Sequence, residues 1–394
     1  MDPKGPTETP SDVPEGANAV ASEARPAAAT AGRFRNLFGM DRERLRAEFA
    51  SIGEKPFRAD QIMQWIYRRG VDDFGGMTNI SKDLRARLES SFVVRPPELL
   101  TEQKSIDGTR KWVLKVGGGQ AIETVFIPEK DRGTLCISSQ VGCAMDCAFC
   151  STAQQGLNRN LDTAEIVAQV WFAAKALGGD FQNERVISNV VFMGMGEPLA
   201  NYNAVLPAVK ILQDDFGFGL SKRRVTVSTS GLVPFIDRLR EDVDTALAVS
   251  LHAPNDDLRN VLVPINKKYP VAELMDACRR YTAQRDHKMH IVYEYVMLDG
   301  VNDSPALARD LAKLLNGMPA KVNLIPFNPF PETRFKRSRP EAIEAFANIL
   351  RAKNIIATTR KTRGDDIDAA CGQLVGKVLN KQKRRLGDIP VRAG

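Results

Sequence analysis

Thr134-Leu-Cys136-Ile-Ser-Ser-Gln-Val-Gly-Cys143-Ala-Met-Asp-Cys147-Ala-Phe-Cys150 sets three cysteines at three-then-two spacing directly behind a strand-like run. Thiolates this close can ligate three irons of a cubane and leave the fourth iron open to an external ligand. A zinc site usually draws four ligands from paired short-spaced motifs. No second pair exists here, and His252, His287 and His290 are remote in sequence, though they could meet the cysteines in space. Thiolate softness suits zinc as well as iron. Three cysteines brought into one buried turn by chance complete the set of readings, of which the cluster fits the spacing best.

Outward from this stretch, strands and helices alternate. Strand candidates are Thr134–Ser138, Ser188–Met193, Arg224–Ser228, Thr245–Leu251, His290–Met297 and Lys321–Pro326. Helical patterns near 163–177, 202–214, 232–240, 271–285 and 304–316 separate most of them. Repeated β-α units predict a parallel α/β architecture, and six units make an incomplete barrel rather than a closed eight. Upstream, Lys111–Val116 and Ala121–Ile127 flank Gly117-Gly118-Gly119-Gln120 and read as a β-hairpin. A strand at Ile355–Arg360 and a helix at Asp368–Leu379 are expected to close the chain.

The segment from Phe34 to Phe92 is helical in pattern. Asp41 reads as an N-cap before Leu45 and Phe49, Gly70 as the end of a second run, and Ser81 as the cap of a third. Arg42, Arg44, Arg46, Arg58, Arg68, Arg69, Arg85 and Arg87 decorate it, as an RNA-docking module or as a solvated helical face would require. Residues 1–33 are rich in Ala and Pro, show no period, and are expected to be a disordered tail.

The whole chain of 394 residues carries a net charge of +7. The tail contributes −2, so residues 34–394 carry +9, which suits a polyanion or mere solubility. No run of about 18 apolar residues occurs, so no membrane span is expected, and no apolar leader follows the start. Six cysteines are too few for a disulfide scaffold in a chain of this length, and four of them lie within fifteen residues of each other. That clustering points to metal or catalysis.

The Cys-x-x-x-Cys-x-x-Cys motif ahead of β-α units resembles the radical S-adenosylmethionine (SAM) superfamily. Gln140-Val-Gly-Cys143, Phe149-Cys150-Ser-Thr-Ala-Gln-Gln-Gly156 and Arg363-Gly-Asp-Asp-Ile-Asp-Ala-Ala-Cys371-Gly372 resemble the RlmN family of dual-specificity RNA methyltransferases over residues 34 to 385. The resemblance implies an incomplete (βα)6 radical-SAM barrel with a small N-terminal helical domain and a β-hairpin connection. The division is then a tail at 1–33, an RNA-docking domain at 34–100, the hairpin region at 101–132, the core at 133–350 and an extension at 351–394.

In such a family Cys143, Cys147 and Cys150 hold one [4Fe–4S] cluster, which chelates SAM through its open iron. Glu197, in Gly194-Met-Gly196-Glu197-Pro198, receives the SAM ammonium, and Gly196 lets the backbone approach. Ser228, Ser250, Leu251, His252 and Asn328 match further SAM contacts. All follow predicted strands, whose carboxyl ends converge on one mouth of a barrel.

Cys371 matches the methyl carrier. One SAM methylates its sulfur, and a second yields the radical that takes hydrogen from that methyl, so two SAM are used per turnover. The methylene radical then adds to adenine C2, a carbon too electron-poor to attack a SAM methyl directly. Cys136 matches the thiol that resolves the adduct through a transient disulfide with Cys371, and Glu123 the proton acceptor.

The implied substrates are 23S rRNA in the peptidyl-transferase region and tRNA at the adenosine 3′ of the anticodon. The implied partners are a reductant such as flavodoxin and no membrane, for a cytoplasmic monomer. Two alternatives share residues with this reading. They are a Cfr-like adenine-C8 methyltransferase and a non-enzymatic iron–sulfur RNA-binding redox sensor.

Overall fold

The protein is known here as a computed structural model, which describes residues 34–130, 132–179, 186–283, 289–331, 333–361, 363–367, 369 and 372–374. The expected tail at 1–33, His287 and Cys371 lie outside the described residues, as does most of the expected helix at Asp368–Leu379, whose described residues, Ala369 and 372–374, are not helical.

The N-terminal unit runs β1 (Arg35–Asn36), α1 (Arg42–Ser51), α2 (Pro56–Met63), α3 (Lys82–Glu89) and β2 (Phe92–Val93), with β1 and β2 paired in parallel. The expected caps are present. Asp41 accepts from the Arg44 N–H at 2.9 Å and Ser81 from the Leu84 N–H at 3.2 Å, which satisfies first-turn donors that the helix cannot.

The arginines of this unit are largely committed within the chain. Arg46 forks onto Asp60, Arg87 bonds Glu54, Arg85 reaches the Gly75 carbonyl and Arg69 lies over Trp65. Arg42 pairs with Asp214, and Arg68 donates to the Asp215 carbonyl at 2.6 Å.

The remaining strands are β3 (Glu98–Lys104), β4 (Arg110–Val116), β5 (Gln120–Glu129), β6 (Arg132–Cys136), β7 (Gln140–Gly142), β8 (Leu157–Asn160), β9 (Asn189–Phe192), β10 (Val225–Thr229), β11 (Ala246–Ser250), β12 (Ile291–Met297), β13 (Ala320–Pro326) and β14 (Ile356–Thr359). Ten of them form one sheet in the order β14-β13-β12-β11-β10-β9-β6-β5-β4-β3. From β6 to β14 the pairing is parallel, the strands following chain order as β-α units require. β3, β4 and β5 continue the sheet antiparallel. The expected hairpin is therefore an extension of the core sheet, joined to it through β5 and β6.

The helices α4 (Ser151–Gln154), α5 (Thr163–Ala176), α6 (Tyr202–Gln213), α7 (Val233–Asp242), α8 (Asp256–Leu262), α9 (Val271–Ala283), α10 (Pro305–Leu314) and α11 (Pro340–Arg351) supply the crossovers. Strands such as β12 are buried along almost their whole length because both faces of a parallel sheet are covered, Glu294 being the one charged residue of β12. The sheet has edges at β3 and β14, so the barrel is partial.

The N-terminal unit packs on the helices outside the sheet. Trp171 of α5 stacks at 5.6 Å on Phe38 and donates its indole N–H to the Ile66 carbonyl at 2.9 Å, while Tyr67 meets Phe218 at 5.1 Å. Burial of these rings contributes to the attraction between the two parts, beside the Arg42 and Arg68 contacts.

Candidate active site

The carboxyl ends of the parallel strands line one open cavity. Nine of the site residues named from the sequence line it: Cys143, Cys147, Cys150, Gly196, Glu197, Ser228, Ser250, His252 and Asn328. Leu251 does not face it; that side chain is in the core, and its backbone carbonyl accepts from Arg259 at 3.1 Å.

The cysteine loop is fixed at several points. Cys143 N–H donates to the Gly156 carbonyl at 3.1 Å, closing the β7–β8 hairpin, and Ala148 N–H donates to Leu262 at the end of α8 at 3.0 Å. Burial pushes the Cys143 and Cys147 thiols up, and each is pushed further by the neighbouring Cys150. Thiols such as Cys143 and Cys147, which resist ionisation in the bare protein, are donors that a cationic iron–sulfur group would stabilise as thiolates. Among the described residues no three His, Cys, Asp or Glu side chains converge as ligands of a single ion, so the zinc reading gains nothing from the structure.

Glu197 is buried and held by its surroundings. Oε2 accepts from the Ser230 N–H at 2.7 Å and its hydroxyl at 2.9 Å; Oε1 accepts from the Leu199 N–H at 3.0 Å. Burial raises its pKa and these bonds pull it back. Gly196 adopts φ +98°, and a Cβ there would stand 2.5 Å from Gln140, so only glycine fits.

His252 also adopts a left-handed backbone, φ +59°. Its Nδ1 accepts the Val296 N–H at 3.0 Å, which leaves the proton on Nε2. Burial, then the Arg259 cation, pushes its pKa down to about 3. Asn328 is held from outside the cavity by Arg337, which donates to Oδ1 at 2.7 Å.

Glu123 and Cys136 do not line the cavity but share one face of the sheet. Cys136 pairs with Val125, so Glu123 lies one step further along that face. Glu123 is buried, with Lys111 at 3.9 Å, rather than solvated as a lone strand carboxylate would be. No disulfide is found among the described residues, and the expected Cys136–Cys371 bond therefore has no support here, Cys371 lying outside them. Its chain neighbour Gly372 does line the cavity, and its carbonyl accepts from Ser151 N–H at 2.8 Å, one residue beyond Cys150.

Several residues of the site were not read from the sequence. Arg259 is fully buried and donates to the carbonyls of Ser230, Ser250 and Leu251 and to Asn266. It thereby ties the loops after β10 and β11 together beneath the cavity. Glu294 and Arg360 also line the wall. Ser230 had a faint signal, a third hydroxyl residue in Ser228-Thr-Ser230; Arg259 had none, since nothing local marks a helical arginine for burial.

Two family models match the chain. One describes the radical SAM superfamily and covers residues 137–311; the other describes the N-terminal domain of ribosomal RNA large subunit methyltransferases and covers residues 35–94. A solved radical SAM methyltransferase from Sphaerobacter thermophilus is similar at 48% identity with a TM-score of 0.79, over 86% of this chain and 99% of that one. A domain of a pyruvate-formate lyase-activating enzyme from Bacteroides vulgatus matches at 17% identity and a TM-score of 0.33, over 44% of this chain and 99% of that one. That likeness is too slight to inform fold or function. The fold and site thus define a radical SAM enzyme, a class that implies a [4Fe–4S] cluster and SAM. The chain belongs to the RlmN-type radical SAM methyltransferases.

Proposed function

We propose that this enzyme methylates C2 of adenosine in 23S rRNA and in tRNA, through an S-methylcysteine at Cys371. The observation that carries the reading is Gly372. Its place in the cavity wall, bonded to the residue after Cys150, brings the chain beside Cys371 to the three cysteines. The match to the N-terminal domain of ribosomal RNA methyltransferases supports RNA as substrate.

The bound cluster and SAM supply one-electron cleavage of the cofactor and a hydrogen-abstracting radical. The chain's own groups do the rest. Cys143, Cys147 and Cys150 hold the cluster. Glu197, fixed by Ser230, accepts the SAM ammonium, and Ser228, Ser250, His252 and Asn328 complete the pocket, with Leu251 contributing backbone. Cys371 takes the first methyl, Glu123 accepts the proton lost from C2, and Cys136 resolves the adduct by forming a disulfide.

Two SAM are used per turnover. Residues 34–100 dock RNA, 101–132 form the hairpin region, 133–350 carry the radical chemistry and 351–394 present Cys371. A flavodoxin-type reductant and a cytoplasmic monomer complete the reading. The target base must leave its stack, which is least costly in looped RNA.

The test uses anaerobically reconstituted enzyme, reductant, protein-free ribosomal RNA and SAM with a trideuterated methyl. Nucleosides from the digested RNA are read by mass spectrometry. A 2-methyladenosine carrying two deuteriums is expected, because abstraction removes one. An 8-methyladenosine would instead assign the Cfr-like reaction. Methylation with all three deuteriums would overturn the cysteine route.

A further inference from the structure

Outside the cavity, the turn joining β3 and β4 meets the stretch of chain that leads to Cys371, and the two exchange carboxylates. Asp366 reaches into the turn, where Oδ1 accepts from the Ser105 hydroxyl at 2.5 Å and Oδ2 from the Ile106 N–H at 3.3 Å. Asp107 reaches the other way. Its Oδ2 accepts from the Gly364 N–H at 3.2 Å and lies 3.6 Å from Arg363, while Oδ1 accepts from its own Thr109 N–H at 2.9 Å. These bonds from Thr109, Ser105 and Gly364 outweigh partial burial and hold the Asp107 carboxyl down at about 2.

Gly364 fits this arrangement because it adopts φ +62°; a Cβ there would stand 2.7 Å from Ala369 and 3.0 Å from Thr109. Its carbonyl then accepts from the Ile367 and Ala369 N–H groups at 3.2 and 3.0 Å, turning the chain back so that Ile367 and Ala369 are buried. On the far side of Cys371, Gly372 is bonded to Ser151, and Leu374 accepts from the Thr152 hydroxyl at 2.6 Å. The chain is therefore anchored before and after Cys371, first by the β3–β4 turn and then by α4 beside the cluster loop.

We infer that the β3–β4 turn is a clasp that sets the position of Cys371, with Asp107 and Asp366 as positioning residues that touch neither cofactor nor substrate. This rests on the reading of Cys371 as the methyl acceptor. The anchors differ in kind. The one at α4 is part of the cluster loop, whereas the clasp lies on the antiparallel extension of the sheet. That gives the extension a task in catalysis, since it holds one end of the methyl-carrying segment against the end of the barrel opposite β14 in the sheet order.

The test compares full-length wild type with D107A, D366A and D366N. Three quantities are read: the alkylation rate of Cys371 in the native protein, the fraction of Cys371 gaining one methyl on incubation with SAM by peptide mass, and the melting temperature. Loss of a charge-assisted pair frees the segment, so D107A and D366A should raise Cys371 alkylation roughly tenfold or more. The methylated fraction should fall, and the melting temperature should move by only a few degrees.

D366N keeps an acceptor for Ser105 and should recover much of the protection. Buried Cys278, whose thiol is pushed up to about 12 by burial, should stay unreactive throughout. Unchanged Cys371 alkylation in both alanine variants would overturn the clasp. So would equal exposure of Cys278, which would mean general loosening. If wild-type Cys371 gains no methyl while RNA is methylated, the acceptor reading fails, and the alkylation rates still decide whether the clasp exists.

Discussion

Ser230 donates twice to one oxygen of Glu197, from its backbone N–H at 2.7 Å and from its hydroxyl at 2.9 Å. The carboxylate is thereby fixed in the cavity wall before any ligand arrives, as the proposed role in receiving an ammonium requires. Ser230→Ala removes one donor and loosens that hold. We expect SAM affinity to drop about tenfold, the effect of losing about 1.4 kcal/mol. Glu197→Gln, which removes the charge, should cost more. Equilibrium binding of SAM to reconstituted protein measures both, and equal affinities for wild type and S230A would refute the role.

Replacing Cys143, Cys147 or Cys150 by alanine should abolish cluster binding. Bound iron and acid-labile sulfide should fall to background while the far-ultraviolet spectrum stays native. The loop is held by Gly156, Leu262 and Gly372 rather than by the thiols, so the fold survives. Full iron content in any one variant would remove that cysteine from the ligand set.

His252 links stability to pH. Its native pKa is near 3, pushed down by burial and by Arg259. An unfolded imidazole binds a proton below about pH 6.5, and the native one does not. Stability should therefore fall as pH drops from about 6.5 towards 3, by up to about 1.4 kcal/mol per unit. Denaturant titrations of apo wild type and His252→Asn at pH 7 and pH 5 check this. The advantage of wild type should shrink on acidification, and a constant difference counts against it.

Arg259 stays charged at neutral pH, although burial pushes its pKa down to about 10. Arg259→Leu leaves the carbonyls of Ser230, Ser250 and Leu251 without their donor. The expected loss is about 3–5 kcal/mol, as for breaking a buried charged network. Urea unfolding of the apo protein gives the value, and a loss under about 1 kcal/mol would show that the network relaxes freely.

Trp171 tests the seam between the N-terminal unit and the core. Trp171→Phe keeps a ring but orphans the Ile66 carbonyl, for about 1–3 kcal/mol. Trp171→Ala also leaves a cavity under Phe38, for about 3–5 kcal/mol. Both should lower the denaturation midpoint, the alanine variant more, and equal losses in the two would show that the ring's packing adds nothing beyond the hydrogen bond.

Much of the fold was legible because it is written at short range. Alternating β-α patterns predicted α5, α6, α7, α9 and α10 and the parallel strands between them, and Asp41 and Ser81 marked helix starts correctly. β3 escaped notice because all seven of its residues are exposed at a sheet edge, so it shows no alternation. α11 was not read, although Ile343, Phe346, Ala347 and Leu350 bury one stripe of it. The arginines of the N-terminal unit could be counted in advance, but their commitment to Asp60, Glu54, Asp214 and the Gly75 carbonyl could not.

The sequence by itself determined the cysteine spacing, the order of β-α units and the residues at strand ends, because each is a property of a few neighbouring positions. Tertiary structure alone decided that Ser230 fixes Glu197 from 33 residues away, that Arg259 joins two loops from a buried helix, and that Asp107 bonds Gly364 and Asp366 bonds Ile106, each across more than 250 positions. Such contacts carry no local signature. A carboxylate or guanidinium is the same residue whether solvated or buried, and only the folding of distant segments together brings its partner within hydrogen-bonding distance.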